Sequence, residues 1–133
     1  MNIFFLGTGG GRVNLIIQRR HTGGFIIFSK SVNMYVDPGP GALVYSKKKN
    51  VDLRNIDALF VSHNHIDHTN DANVIIEGMT HFGVKKMGVL FGSKTVINGE
   101  NGKCRSITKY HQSKLGRVII GEPEQKQTIE TKK

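Results

Sequence analysis

A six-residue stretch in the middle of the chain, His63-Asn64-His65-Ile66-Asp67-His68, constrains the fold and function most. It follows the apolar run Asp57 to Val61, whose residues favour strands and predict a buried strand. Thr69-Asn70-Asp71 comes next and is typical of a helix start. The motif is therefore predicted on a loop between a strand and a helix, where α/β proteins commonly place their chemistry.

Four of these side chains are candidate metal ligands. In extended backbone, side chains repeat with period two, so His63, His65 and Asp67 should project to one side and His68 approach from another. Imidazole and carboxylate groups together suit zinc, manganese or iron. The alternative is a polar surface loop that happens to contain histidines, although such loops are usually built from Gly, Ser, Asn and Asp. We interpret the stretch as a metal-binding loop.

The same residues carry a resemblance to a known family. The loop is similar to the H-x-H-x-D-H motif of the metallo-β-lactamase fold hydrolases. Phe5-Leu6-Gly7-Thr8-Gly9-Gly10 resembles the N-terminal strand and glycine turn of the tRNase Z-like branch, and Val36-Asp37-Pro38-Gly39-Pro40-Gly41 resembles the second strand-end aspartate motif. The match in order and spacing runs from Met1 to the region of Tyr110.

The resemblance implies both a fold and an activity. The fold is α/β (α+β): an αββα sandwich, here truncated to roughly its first half, with a mixed sheet and helices on one face. The activity is a metal-dependent, phosphodiesterase or ribonuclease-like hydrolysis that uses metal-bound hydroxide and one or two zinc ions, with manganese or iron as alternatives. Its ligands are His63, His65, Asp67 and His68; Asp67 also acts in catalysis, and Asp37 orients the ligands from beneath.

The second half of the family pattern is missing. No aspartate follows Asp71, and His111 is the one plausible later histidine ligand. Each of two metals would keep two protein ligands, and half a sandwich exposes a strand edge and an apolar sheet face. We therefore expect an incomplete chain, with the site completed by self-association or by a second chain. The alternative function is a catalytically incomplete remnant or interaction module that retains the metal-binding loop.

Composition bears on the partners and the cellular location that the chain is expected to have. Lys and Arg number 19 against 10 Asp and Glu, a net charge of +9 that favours RNA or another phosphodiester partner, although scattered surface lysines explain it equally well. A basic nucleic-acid binder without metal chemistry has only this charge in its favour. The single cysteine, Cys104, predicts a cytoplasmic protein, and no apolar run is long enough for a membrane span.

The rest of the pattern predicts one domain over residues 1–121 and a polar, solvated C-terminal tail over residues 122–133. The glycine loop at residues 7–11 is either a plain turn or a backbone shelf beside the site. Strands are expected over residues 2–6, 13–18, 25–28, 32–36, 57–61, 86–91 and 117–120, and helices over residues 42–46, 71–82 and 93–97. The strands at 13–18 and 25–28 are expected to form a hairpin.

Overall fold

A computed structural model describes residues 1–101 and 104–130 of the chain, and in these ranges six strands form one mixed sheet in the order β1-β2-β3-β4-β5-β6. β1 to β3 pair antiparallel, and β3 to β6 pair parallel. The strands are β1 Asn2–Phe5, β2 Phe25–Phe28, β3 Asn33–Val36, β4 Ala58–Val61, β5 Val89–Gly92 and β6 Arg117–Ile120. The helices are α1 Arg12–Ile17, α2 Ala42–Lys48, a 3₁₀ turn Leu53–Asn55, α3 Ile66–Thr69, α4 Ala72–Met79, α5 Lys94–Asn98 and α6 Lys109–Lys114.

The main core lies between one face of the sheet and the helices. Alternation along β4 sends Leu59 and Val61 into this core, where both are fully buried. α4 supplies its apolar stripe from Ile75, Ile76 and Met79, which are likewise fully buried. The predicted mixed sheet with helices on one face is confirmed.

The opposite face of the sheet has a thinner cover. Ala58, Val89 and Ile119 form a small second cluster there, and Ile129 from the C-terminal segment packs against it. The Arg117 guanidinium donates a hydrogen bond to the Thr128 carbonyl at 3.4 Å, so residues 128–129 lie along this face. Residues 122–126 of the predicted tail are exposed, and its residues 131–133 lie outside the described ranges.

The predicted strand at residues 13–18 is wrong. These residues form α1, which ends where Gln18 adopts a left-handed conformation with φ 54° and returns its N–H to the Asn14 carbonyl. The apolar residues of this stretch suit a strand by composition, yet Val13, Ile16 and Ile17 also have helical spacing. The predicted hairpin is therefore wrong too, because β2 pairs with β1 instead.

Two further boundaries differ from the sequence prediction. α4 ends at Met79 because the Thr80 hydroxyl bonds the Ile76 carbonyl and receives the Gly83 N–H. Asn70 or Thr69 was expected to cap this helix, but Thr69 belongs to α3 and Asn70 ends it, and the N-cap position of α4 is Asp71, whose side chain accepts the Leu43 N–H of α2. β5 begins at Val89, later than predicted, whereas the strand at 117–120 is confirmed.

None of the helices in the described ranges is long and apolar enough to cross a membrane.

Replacing Tyr35 with phenylalanine tests the buried hydrogen bonds that support β3. The Tyr35 hydroxyl donates to the Gly23 carbonyl at 2.8 Å and lies 3.4 Å from the Ser46 hydroxyl, and burial raises the Tyr35 pKa. Tyr35→Phe leaves the Gly23 carbonyl without this donor and should lower the free energy of unfolding by about 1–3 kcal/mol in urea titration. Tyr110→Phe, at an exposed tyrosine, is the matched control, and equal losses in both variants would contradict the prediction.

Candidate metal site

Three strand ends meet at one edge of the sheet. β1, β3 and β4 run in the same direction, so their carboxyl ends share this edge. β1 leads into the glycine loop, β3 ends at Asp37, and β4 leads through Ser62 into the histidine motif. The motif follows β4 as predicted, but α3 begins at Ile66, so its second half lies in the helix and not on the loop before it.

Asp37 joins the end of β3 to the histidine motif. Its Oδ1 accepts the Ser62 N–H at 2.7 Å, and its Oδ2 accepts the Ser62 hydroxyl at 2.7 Å and faces His68 Nδ1 at 3.0 Å. The residue has a left-handed φ of 48°, which aspartate tolerates better than most residues. This conformation turns the chain after β3 and places the carboxylate beneath the loop, as the resemblance implied for Asp37.

The hydrogen bonds also select the tautomers of two histidines. Because the Ser62 hydroxyl gives its proton to Asp37, His63 Nδ1, 2.9 Å from that hydroxyl, must be the donor of the pair. His68 Nδ1 donates to the Asp37 carboxylate in the same way. In neutral His63 and His68 the lone pair is therefore on Nε2, the form in which imidazole binds metals.

The imidazole rings of the motif lie against one another. The ring centroid of His63 is 4.6 Å from that of His65 and 4.1 Å from that of His68. Burial, and then the neighbouring His68 and His65, lower the pKa of His63. This environment favours neutral His63, the protonation state that a metal ligand requires.

Asp67, in the first turn of α3, is the fourth of the predicted ligands. Its Oδ2 accepts the Gly11 N–H at 2.9 Å and lies 3.3 Å from His68 Nε2. Burial raises the Asp67 pKa, but the Gly11 N–H and the neighbouring His68 more than offset it, so the pKa lies below its usual value. When His68 is neutral, the lone pair of its Nε2 faces Asp67 Oδ2 at 3.3 Å with no hydrogen between the two atoms. A proton or a metal cation between them would stabilise this arrangement.

The backbone beneath this loop is tightly packed at Gly39. A Cβ added there would lie 2.0 Å from the Asp67 carbonyl oxygen and 2.2 Å from the Thr22 carbonyl oxygen. Only glycine allows the Asp-Pro-Gly turn to approach the motif this closely. The turn therefore helps to fix the position of α3 and of Asp67.

The four predicted ligands are thus brought together, with a different local geometry from the one expected. The period-two argument applies to His63 and His65 only, because α3 begins at Ile66 and places Asp67 and His68 on a helical turn. His65 is exposed, whereas the other three are partly buried. Within the described ranges, no three His, Cys, Asp or Glu side chains are already arranged to hold a metal ion. The donor types and tautomers fit a divalent transition metal, but a finished set of three ligands is not formed.

His111 is engaged elsewhere. Its Nε2 lies 2.9 Å from Glu77 Oε1, and its Nδ1 lies 2.6 Å from the Thr108 hydroxyl. These contacts connect α6 to α4 and occupy both ring nitrogens.

Sequence reasoning missed Ser62 and left the role of Gly11 open. The Ser62 hydroxyl donates a hydrogen bond to Asp37 and accepts one from His63 Nδ1, and the Gly11 backbone N–H donates to the Asp67 carboxylate. A backbone N–H donor cannot be recognised from the type of residue. A backbone shelf beside the site was nevertheless one of the two interpretations of the glycine loop. The position of Ser62, directly before the first histidine, was the available signal for its role.

Comparison with known proteins agrees with this architecture. Residues 32–115 match the family model described as the beta-lactamase superfamily domain. The chain belongs to the metallo-β-lactamase superfamily. It aligns with a solved metallo-beta-lactamase fold protein, YhfI from Bacillus subtilis, with a TM-score of 0.65 and 19% identity over 96% of this chain and 47% of that one. Proteins of this fold generally bind metal ions, usually zinc.

Curated relatives place the chain on the tRNase Z-like side of the superfamily. An uncharacterised protein of Methanocaldococcus jannaschii is 43% identical over 92% of this chain and 46% of its own length. Ribonuclease Z of Metallosphaera sedula is 23% identical over 69% of this chain and 30% of its own length. Ribonuclease Z of Alkaliphilus oremlandii is 34% identical over 51% of this chain and 20% of its own length. The chain spans at most about half the length of these relatives.

Gly39→Ala tests the close packing beneath the motif. The added methyl group would overlap two backbone oxygens, so we expect the free energy of unfolding to fall by about 1–3 kcal/mol or more. The histidine ring signals of the motif should also shift in NMR spectra. Gly10→Ala is the control, since its Cβ would meet only Asp67 Oδ2, at 3.9 Å. Unchanged stability in Gly39→Ala would contradict the packing described here.

Proposed function

We propose that this chain carries the metal-binding part of a metal-dependent hydrolase that cleaves phosphodiesters. The observation that carries the proposal is the pair of Nδ1–H tautomers at His63 and His68, which leaves both Nε2 lone pairs free and places that of His68 3.3 Å from Asp67 Oδ2. His63, His65, Asp67 and His68 would hold one or two zinc ions, with manganese or iron as alternatives. When bound, such a metal would acidify a water molecule and polarise a phosphoryl oxygen.

The chain's own residues have distinct roles in this proposal. Ser62 and Asp37 keep His63 and His68 in the tautomer that leaves Nε2 free, so both are positioning residues. The Gly11 N–H occupies Asp67 Oδ2. This leaves Oδ1 of Asp67 to take a proton from the attacking water as general base.

A phosphodiester substrate is supported by charge and by similarity. The net charge of +9 attracts polyanions, and two of the similar proteins are named Ribonuclease Z. RNA is therefore the substrate class that we propose. A cytoplasmic location stays a prediction that rests on the free, exposed Cys104.

A second candidate function is a catalytically incomplete module that keeps the loop. It is favoured by one specific observation: the described residues do not already form a set of three ligands. Metal binding without turnover would support this candidate over the hydrolase.

Zinc binding to the metal-stripped chain tests the site directly. Calorimetric titration should show binding that His63→Ala abolishes. It should weaken by about 10–100-fold in Ser62→Ala, because His63 then loses the partner that fixes its tautomer. His81→Asn is the control, since it replaces a histidine outside the motif at a left-handed position that asparagine tolerates. Failure of the folded wild-type chain to bind zinc would reject the proposal.

Turnover of a simple phosphodiester tests the chemistry separately. With zinc or manganese added, the chain should hydrolyse bis(p-nitrophenyl) phosphate, and Asp67→Asn should lower kcat by about 10²–10⁴-fold through loss of the general base. Activity that survives in Asp67→Asn would contradict the role of Asp67. A zinc-bound wild-type chain without activity would select the incomplete module instead.

A further inference from the structure

Positive charge is concentrated in the first part of the chain. Before Asp52, Asp37 is the one acidic residue, and its carboxylate is engaged by Ser62 and His68. The lysines and arginines of this stretch are all exposed: Arg12, Arg19, Arg20, Lys30, Lys47, Lys48 and Lys49. This part of the surface therefore attracts anions without a competing exposed carboxylate from the same stretch.

A pair of stacked rings lies among these cations. The ring centroid of His21 is 3.9 Å from that of Tyr45, with 33° between the ring planes. The Lys48 ammonium lies 5.9 Å from the Tyr45 centroid, within the range of a cation–π interaction. Tyr45 is partly buried and packs against the main core, whereas His21 is exposed. Because Tyr45 supports one face of the His21 ring, the other face can accept a further ring.

Hydrogen bonds hold the backbone of this loop in place. The Asn14 side-chain amide of α1 donates to the Arg20 carbonyl at 2.8 Å and accepts the Arg20 N–H at 3.1 Å. The Gly9 N–H donates to the His21 carbonyl at 2.9 Å. The backbone that carries Arg20 and His21 is therefore fixed before any ligand binds, which lowers the ordering cost of binding.

The loop and α2 adjoin the candidate metal site. Thr22, the residue after His21, and Asp67 of the motif both place a carbonyl oxygen against Gly39. The Leu43 N–H of α2 donates to the Asp71 carboxylate, directly after α3, at 3.0 Å. Because Tyr45 of α2 packs against the main core, these residues lie on the helix side of the sheet, opposite its thinly covered face.

We refer to Arg19, Arg20, His21, Tyr45 and Lys48 as the basic surface. We propose that the basic surface binds a single-stranded segment of the RNA substrate next to the bond that is cleaved. A base stacks on the His21–Tyr45 pair, and the flanking phosphates pair with the three cations. This inference rests on the proposed function, which it deepens by assigning where the rest of the RNA strand is held.

The combination of groups favours single-stranded RNA over other anions. Proteins bind single strands with cations that follow the phosphates and with aromatic rings on which bases stack. A duplex hides the faces of its bases, so it cannot use the His21 ring. An acidic peptide could pair with the cations, but its carboxylates gain nothing from an open aromatic face.

Fluorescence anisotropy with a labelled oligouridylate of about 12 nucleotides tests the electrostatic part. With the metal-free chain, log K should fall with log salt concentration with a slope of about −2, since each neutralised phosphate of a single strand contributes about 0.7. The double variant Arg19→Gln, Arg20→Gln should reduce the slope by about one and weaken binding by about tenfold at about 0.1 M salt.

Lys30→Gln and Lys86→Gln, combined in one chain, are the matched control. Lys30 lies in the turn after β2 and Lys86 lies before β5, so both are at the opposite edge of the sheet from the motif. This control removes the same charge and should retain the wild-type affinity to within about twofold. Equal losses in the two double variants would overturn the proposal.

His21→Ala tests the stacking part. It should weaken oligouridylate binding by about 5–100-fold, the range expected for loss of one base–aromatic stack. An oligomer of the same length with abasic sugars has the same phosphates without bases, so His21→Ala should not change its affinity. His21→Phe keeps a ring and should retain most of the oligouridylate affinity. His81→Asn, which removes a histidine outside the basic surface, is the control.

A folded wild-type chain that does not bind the oligouridylate would overturn the proposal. Equal losses on both oligomers in His21→Ala would also overturn it, because the surface would then recognise charge alone. Thermal unfolding of each variant confirms that it is folded. Zinc titration of the wild-type chain reports on the proposed function separately: RNA binding without zinc binding would reject the hydrolase, and zinc binding without RNA binding would reject the basic surface.

Discussion

The rest of the site depends on the hydrogen bonds of the Asp37 carboxylate. It joins the end of β3 to the start of the motif after β4, and through His68 it reaches α3. Hydrogen bonds to an ionised group are stronger than neutral ones, and the Asp37 side chain is only 18% exposed, which limits competition from water. One partly buried carboxylate thus fixes backbone position, hydroxyl direction and imidazole tautomer at the same time.

The sequence located the candidate metal-binding motif more reliably than it located the elements around it. The histidine motif was placed correctly after β4, although α3 begins inside it, because a buried apolar strand and a run of metal-binding side chains are both strong local signals. The resemblance also placed Asp37 beneath the motif, a contact between residues 25 and 31 positions apart that no local pattern encodes. The hydrogen bonds of Ser62 to Asp37 and His63 depend on three-dimensional convergence, so the position of Ser62 before the first histidine could suggest a role but not these partners.

The incorrect predictions of α1 and of the end of α4 also have physical reasons. The stretch now in α1 contains apolar residues that suit either a strand or a helix, and it buries none of them, so burial gave no pattern to decide between the two. α4 stops at Met79 because the Thr80 side chain competes for backbone groups, after which His81 and Phe82 adopt left-handed conformations. Periodicity continues through these residues and therefore overestimated the helix length.

The order of the strands across the sheet is the same as their order along the chain. Each strand after the first finds its partner already present when it emerges, so the sheet can grow during synthesis by adding one strand at a time to a single moving edge. The segments that form the candidate site follow β1, β3 and β4, which precede β5 and β6 in the chain. The candidate site can consequently begin to assemble before β5 and β6 have emerged from the ribosome.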